Sequence, residues 1–114
     1  MKIENFEDIL SWQKSKELSV LIYNLLKLNK DYSFKDQIQR AVISISNNIA
    51  EGYERKSNNE FRHFLYIAKG SCGEVRSMSY IAMELKYISE KDFTDILERS
   101  KEISRLLSGL IKTL

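Results

Sequence analysis

The chain has 114 residues, 43% of them hydrophobic and 30% charged, a composition typical of one folded domain (1–114) and not of a disordered chain. Its 18 basic and 16 acidic residues leave a net charge of only +2, far from the strong excess of a dedicated nucleic-acid-binding protein. The single cysteine excludes an internal disulfide and any multi-cysteine zinc site.

The sequence contains neither an apolar run long enough to cross a membrane nor the pattern of a signal peptide. We therefore expect a cytoplasmic protein with no membrane partner. Proline is absent and only four glycines are present. Because these two residue types mark turns, their scarcity predicts a chain built from a few long helices.

The first predicted helix covers 6–28, where leucines from Leu18 to Leu28 recur at steps of three and four. A polar turn follows, with Ser33 as the predicted N-cap of a second helix over 34–55. Gly52 lies near the end of that helix, where a left-handed residue is expected.

The third helix is predicted over 59–87, after a cap at Ser57 or Asn58, and the fourth over 90–113, after a cap at Ser89. Apolar residues of the fourth helix alternate in steps of three and four, as in helices that pack at about 20°. The three connections are short, so consecutive helices should be antiparallel. The predicted fold class is all-α, an antiparallel up-down-up-down four-helix bundle.

Three segments of these helices resemble one protein family. They are Phe6-x-Asp8-x-Leu10-x-Trp12-x-Lys14; Gln37-Ile38-x-Arg40-Ala41 with Ser44-Ile45-x-x-Asn48-Ile49-Ala50-Glu51-Gly52; and Glu60-Phe61-x-x-Phe64-Leu65-x-Ile67-Ala68-x-Gly70-Ser71-x-x-Glu74. The family comprises four-helix-bundle proteins encoded by intervening sequences of bacterial 23S ribosomal RNA. The resemblance, which covers essentially the whole chain, implies a cytoplasmic homopentamer without a settled biochemical activity.

Accessory proteins of diversity-generating retroelements are related to this family, and they bind nucleic acid and a reverse transcriptase. The present chain lacks the strong positive charge expected of those relatives. It also carries Ser46 where the family commonly has proline. The sequence leaves open whether the second helix is kinked at that position.

Residues suited to catalysis are few. Glu60 and His63 have the spacing found in di-iron bundles, but His63 is the only histidine, so a second such pair is impossible within one chain. Cys72 lies on the apolar side of the third helix, with no further histidine to act as its base. We predict no catalytic residue, no metal site and no cofactor, and hence no enzyme.

A polar ridge runs along the second helix and is called the polar seam here. Its members are Arg40, Ser44, Asn48, Glu51 and Arg55. The ridge is interpreted as a solvated face, as a polar network between helices or subunits, or, less favourably, as a catalytic site at Glu51. We favour the network because the most specific family motif coincides with it.

The third helix carries an apolar arc of about 200° at 100° per residue, wider than the core of a bundle requires. The surplus face predicts a subunit interface, with Glu74 paired across it. The candidate interface residues are Ile67, Glu74, Met78, Ile81 and Leu85.

A basic and aromatic strip covers the remainder of the third helix. Its cations recur every seven residues and are interleaved with rings that could stack on bases. The candidate nucleic-acid-binding residues are Arg62, Lys69, Arg76, Tyr66 and Tyr80, with Tyr87 on the same strip and Arg55 as an extension. An ordinary solvated face is the alternative interpretation.

The predicted function is that of a non-enzymatic homo-oligomer that binds RNA or a nucleoprotein enzyme. The family resemblance implies that the oligomer is a pentamer. The alternative is a structural or protein-interaction module without affinity for nucleic acid. Five copies would raise the charge of +2 per chain to about +10 per assembly, which favours binding if the basic strips are adjacent.

Overall fold

In the computed structural model, which describes residues 2–114, one short 3-10 turn precedes four α-helices. The turn covers Phe6–Asp8, and the helices are α1 (Leu10–Leu25), α2 (Tyr32–Tyr53), α3 (Asn58–Glu84) and α4 (Glu90–Lys112). Contacts join α1 to α2, α2 to α3, α3 to α4 and α4 to α1, so the helices form a four-sided bundle. The prediction of an all-α four-helix bundle is confirmed.

The first helix is shorter than the predicted 6–28. The Asp8 side chain accepts hydrogen bonds of 3.0 Å from the backbone N–H groups of Glu4 and Asn5, which completes a separate 3-10 turn. Ile9 is extended, so α1 begins only at Leu10. At the other end the chain leaves helical geometry at Leu26, and Leu28 is 89% exposed outside the helix. Leu28 therefore does not belong to the apolar stripe.

Asp31, and not Ser33, is the N-cap of α2. Its Oδ1 accepts a 3.2 Å hydrogen bond from the backbone N–H of Phe34, so the helix begins at Tyr32 instead of residue 34. Gly52 is helical and not left-handed, because α2 continues through it to Tyr53. The helix is also continuous through Ser46, whose hydroxyl donates to the carbonyl of Ile43.

The caps predicted for the last two helices are confirmed. Ser57 Oγ accepts a 3.2 Å hydrogen bond from the backbone N–H of Glu60, and Ser89 Oγ accepts one of 3.0 Å from that of Asp92. The third helix ends at Glu84, before the predicted residue 87, because Lys86 turns the chain with a left-handed φ of 61°. Such a residue terminates α-helical hydrogen bonding.

The core is aliphatic and runs the length of the bundle. The α4 residues Ile96, Ile103 and Leu107 are fully buried, whereas Leu110 is only half-buried and the adjacent Ile111 takes the core position. On α1, the buried residues at the α2 side include Ser15 and Ser19. Ser19 Oγ lies 3.4 Å from the carbonyl oxygen of Val42, as small residues allow the two helices to approach closely.

Candidate nucleic-acid interface

The polar seam contains a network that links α2 to α3. Asn48 Nδ2 donates to the Ser44 carbonyl oxygen at 2.7 Å and to Ser44 Oγ at 2.9 Å. Ser71 Oγ of α3 donates to the same Ser44 Oγ at 2.9 Å. The middle of the seam therefore satisfies its own polar groups between two helices.

The two ends of the seam behave differently. Arg55 contacts Glu51 at 2.7 Å and Glu60 at 4.0 Å, and its guanidinium lies 4.8 Å from the ring centroid of Phe64. Two carboxylates thus offset its charge. Arg40 points away, pairing at 2.8 Å with Asp36 on an exposed surface. Arg40 is therefore outside the Ser44 network, and Arg55 is a poor extension of the basic strip.

The cations of the predicted basic strip fall into two groups. Arg62 donates a 2.7 Å hydrogen bond to Asn59 Oδ1 at the start of α3. Lys69 and Arg76 are half-buried further along the helix, where they line a groove between α3 and α4. The structure thus assigns two of the three strip cations to a shared concave surface.

The groove between α3 and α4, called the cationic groove from here on, has a volume of about 520 Å³. It is lined by Lys69, Arg76, Lys101, Ser104, Arg105, Ser108, Gly109 and Lys112. Five of these eight residues are cationic and none is acidic. Antiparallel packing of α3 against α4 brings the cations of the two helices together from positions 25 to 43 residues apart in the sequence.

Sequence reasoning missed the α4 half of this site. Lys101, Arg105 and Lys112 follow one another at steps of four and seven, so they share one face of a helix. From that spacing, the sequence alone could have predicted a basic face on α4. Which face of α4 turns toward Lys69 and Arg76 depends on how the two helices pack, and only the structure gives that relationship.

The five groove cations have no carboxylate partner within ion-pair distance among residues 2–114. The neighbouring α1–α4 groove is also lined by Lys101 and Arg105, together with four acids. Three of those acids pair with other cations: Glu102 with Lys14 at 3.6 Å, and Glu17 and Asp95 with Arg99 at 3.7 Å and 2.8 Å. Positive charge in the cationic groove is therefore left for a ligand to neutralise.

The tyrosines of the strip have unequal roles. The Tyr66 ring is 57% exposed on α3. Tyr80 is also half-exposed, but its ring packs edge-on against Phe93 with centroids 4.8 Å apart. Tyr87 is committed to the fold, because its hydroxyl donates to Asp31 at 2.6 Å and its ring packs on Phe34. Tyr66 and Tyr80 are thus the rings available for stacking.

The candidate subunit interface is partly exposed. Ile67, Ile81 and Leu85 have exposed fractions of 39%, 48% and 50%, and Glu74 is exposed among them without an ion pair to any of residues 2–114. Met78 differs, because only 6% of it is exposed and it packs in the core of the chain itself. The apolar face, as used below, is Ile67, Ile81 and Leu85.

The remaining reactive side chain is buried. Burial raises the pKa of Cys72 to about 12, against the opposing effect of the nearby cations Arg76 and Lys69. The thiol is therefore protonated and inert at neutral pH.

Residues 2–114 contain no cluster of three or more His, Cys, Asp or Glu side chains that could hold a metal ion. Within the same residues, every helix is too short or too polar to cross a bilayer.

Comparisons with known proteins identify the family to which this bundle belongs. The family model described as "23S rRNA-intervening sequence protein" matches residues 7–109. The chain is also similar to the crystal structure of a protein of unknown function from the S23 ribosomal protein family of Bacteroides thetaiotaomicron. The two share 30% sequence identity with a TM-score of 0.84, over 90% of this chain and 99% of that one. A search of curated proteins gave no match. The chain belongs to the 23S rRNA-intervening sequence protein family.

Proposed function

We propose that this protein is a non-enzymatic, homo-oligomeric cytoplasmic bundle that binds RNA through the cationic groove. The observation that carries the proposal is the composition of that groove: five cations from two helices, no acidic lining residue, and no ion pair to any of them within residues 2–114. The net charge of only +2 does not reveal this concentration of cations in one groove.

The energetics of such a groove favour a polyanion. Lys and Arg side chains that contact phosphates release condensed counterions, and this release supplies most of the sequence-independent affinity for nucleic acid. Lys14 and Arg99 of the α1–α4 groove cannot contribute equally, because carboxylates already neutralise them. Both the family description and that of the structural relative refer to ribosomal RNA or a ribosomal protein, which makes RNA the first ligand to test.

The oligomeric part of the proposal rests on the apolar face of α3. Ile67, Ile81 and Leu85 present three aliphatic side chains on one side of the bundle. Covering such a patch with a second copy removes apolar surface from water at about 25 cal/mol per Å². The number five comes from the family resemblance and not from this surface.

A second candidate function is favoured by the same face. A protein-interaction module, with a nucleoprotein enzyme or another protein as its partner, would use Ile67, Ile81 and Leu85 without any role for the groove. The two candidates differ in which surface is essential, so variants of each surface separate them.

The test is a fluorescence anisotropy titration of labelled RNA, carrying both a hairpin and a single-stranded tail, at about 50 mM salt. The groove variant combines Lys69→Gln, Lys101→Gln and Arg105→Gln. A matched control removes three cations elsewhere through Lys16→Gln, Lys30→Gln and Lys91→Gln, all of which are exposed. We expect the groove variant to lose affinity at least tenfold and the control to change little, since only contacted cations contribute.

Two results would contradict RNA binding through the groove. One is the absence of binding by the wild-type protein at this salt concentration, which would leave the protein-interaction module as the better function. The other is an equal loss in the groove variant and the control, which would mean that overall charge, and not the groove, attracts RNA. Light scattering on the wild type tests the oligomer separately, and a monomer mass would contradict it.

A further inference from the structure

We infer that the cationic groove holds a single RNA strand lengthwise, contacts it from both sides through its phosphates, and excludes duplex RNA. This inference rests on the proposed RNA-binding function and specifies the form of RNA that the groove accepts. It is carried by the arrangement of the cations along the two helices, by the packing of those helices against each other, and by the small residues that line the groove.

The cations form two facing rows. One row is Lys69 and Arg76, seven residues apart on α3, which places them about 10 Å apart at 1.5 Å per residue. The other row is Lys101, Arg105 and Lys112 on α4, which extends over about 16 Å. Lys101 and Arg105 lie on the crest of α4, since they line the α1–α4 groove as well. Both rows border the cationic groove, so one phosphate chain lying in it would meet both.

The length of the rows corresponds to a short stretch of nucleic acid. Phosphates of one stacked strand follow each other at about 3.4 Å along the axis, so a span of about 16 Å accommodates about five of them. Five phosphates match the five cations of the groove. We therefore expect a strand of about six nucleotides to fill the site.

The close packing of α3 and α4 limits how many nucleic-acid strands the groove can hold. Helices in contact have axes about 8–10 Å apart. An RNA duplex is wider than this, because its two strands lie on either side of a wide, shallow minor groove. A duplex resting on the groove would reach the exposed Lys101, Arg105 and Lys112, but not the half-buried Lys69 and Arg76 on the opposite wall.

Three small α4 residues, Ser104, Ser108 and Gly109, line the groove beside the cations. A Cβ built at Gly109 would meet no atom within 4 Å, so the space above this residue is open. Ser104 and Ser108 add two half-buried hydroxyls that can donate to phosphate oxygens. Tyr66 and Tyr80 flank Lys69 and Arg76 along α3, where bases of the bound strand could stack on the exposed parts of their rings.

The experiment compares adenosine oligomers of three, six and twelve nucleotides, whose bases stack in a single strand, with a hairpin duplex, by anisotropy over a salt series from about 50 to about 200 mM. For the six- and twelve-nucleotide strands we expect equal log–log slopes of about −3.5, which is five contacts at about 0.7 each and a loss of about 100-fold over this series. The three-nucleotide strand should give about half that slope, and the duplex should bind more weakly than the six-nucleotide strand.

Arg76→Gln provides the decisive comparison, with Lys30→Gln as the control that removes a distant exposed cation. Arg76→Gln should flatten the single-strand slope by about 0.7 and leave the duplex unchanged. Duplex binding as tight as that of the strand, and equally sensitive to Arg76→Gln, would overturn the single-strand inference while RNA binding stands. A slope that continues to steepen beyond six nucleotides would overturn the five-phosphate length. Binding of neither RNA form would instead refute the proposed function itself.

Discussion

The Tyr87 hydroxyl donates a 2.6 Å hydrogen bond to Asp31 Oδ2 and so fastens the α3–α4 connection to the start of α2. The other oxygen of the same carboxylate accepts from the backbone N–H of Phe34, whose ring packs edge-on against Tyr87. The bonds from Tyr87 and from the Phe34 backbone lower the pKa of Asp31 below its ordinary value of 3.8. The same bond to Asp31 raises the pKa of Tyr87 above 10.0.

Tyr87→Phe should destabilise the protein at neutral pH, because it deletes the hydroxyl while keeping the ring on Phe34. A carboxylate whose folded-state pKa is lowered stabilises the fold above its unfolded-state pKa, and that contribution is lost as the pH falls through the folded-state value. The difference from the wild type should therefore be largest at about pH 6 and smaller at about pH 2 in urea denaturation. Tyr32→Phe, on an exposed ring, is the control, and a difference that is equal at both pH values would assign the effect to packing.

Gly52→Ala should destabilise the bundle by about 1–3 kcal/mol through overpacking. A Cβ at this position would lie 2.6 Å from Phe64 Cβ and 3.0 Å from Phe61 Cδ1, so α2 and α3 must separate. The control is Gly109→Ala, in open space, which should instead stabilise α4 by about 0.5–1 kcal/mol through helix propensity. Thermal denaturation compares the two, and a stabilised Gly52→Ala protein would show that the helices are not held this closely.

Leu107→Ala should lower the free energy of unfolding by about 2–5 kcal/mol, as for other fully buried leucines. The side chain has no exposed surface, so its removal leaves a cavity in the core. Leu28→Ala offers the matched control at a site that is 89% exposed, where no change is expected. Guanidinium denaturation measures the free energy of unfolding of both variants. Similar values for the two would mean that Leu107 does not face the core.

Two glutamate variants, Ile81→Glu and Met78→Glu, should affect different properties, the first the oligomeric state and the second the folding of the chain. Ile81 is half-exposed on the apolar face, so a glutamate there should dissociate the proposed oligomer and leave the monomer folded. Met78 is buried in the chain, so a glutamate there should unfold it. Light scattering and circular dichroism together separate the two effects, and an Ile81→Glu protein with the mass of the wild type would remove this face from the interface.

Lys69→Gln should lower RNA affinity about equally for all sequences and flatten the log–log salt slope by about 0.7. Tyr66→Ala and Tyr80→Ala should weaken binding by up to about 1–3 kcal/mol each without changing the slope, because stacking releases no counterions. We expect the larger effect at Tyr66, since the Tyr80 ring is partly occupied by Phe93. A slope altered by either tyrosine variant would contradict a stacking role.

Local signals predicted the fold well. The serines at positions 57 and 89 cap their helices because a hydroxyl followed by free backbone N–H groups is recognisable from a few neighbouring residues. The errors occurred where two neighbouring residues were about equally suited to the same role, as Asp31 and Ser33 were for the N-cap of α2. Asp31 displaced Ser33 because its second oxygen also bonds to Tyr87, a residue 56 positions away that no local pattern includes.

The candidate site was predicted only in part, for a comparable reason. Spacing within α3 placed Lys69 and Arg76 on one strip, and the structure retains that placement. The facing row on α4 depends on the rotation of one helix against another, which the sequence of neither helix specifies. The same limit applies to Met78, whose position in the apolar arc did not reveal that the core of its own chain would bury it.

The two surfaces of α3 lie on nearly opposite sides of one helix. At 100° per residue, Ile67 and Ile81 are about 120–180° around the axis from Lys69 and Arg76. A partner on the apolar face would therefore leave every groove of an assembly open. Avidity follows from that separation: once one groove holds part of a long RNA, its neighbours meet the rest at a high effective concentration, so weak single sites would act together on a strand that spans them.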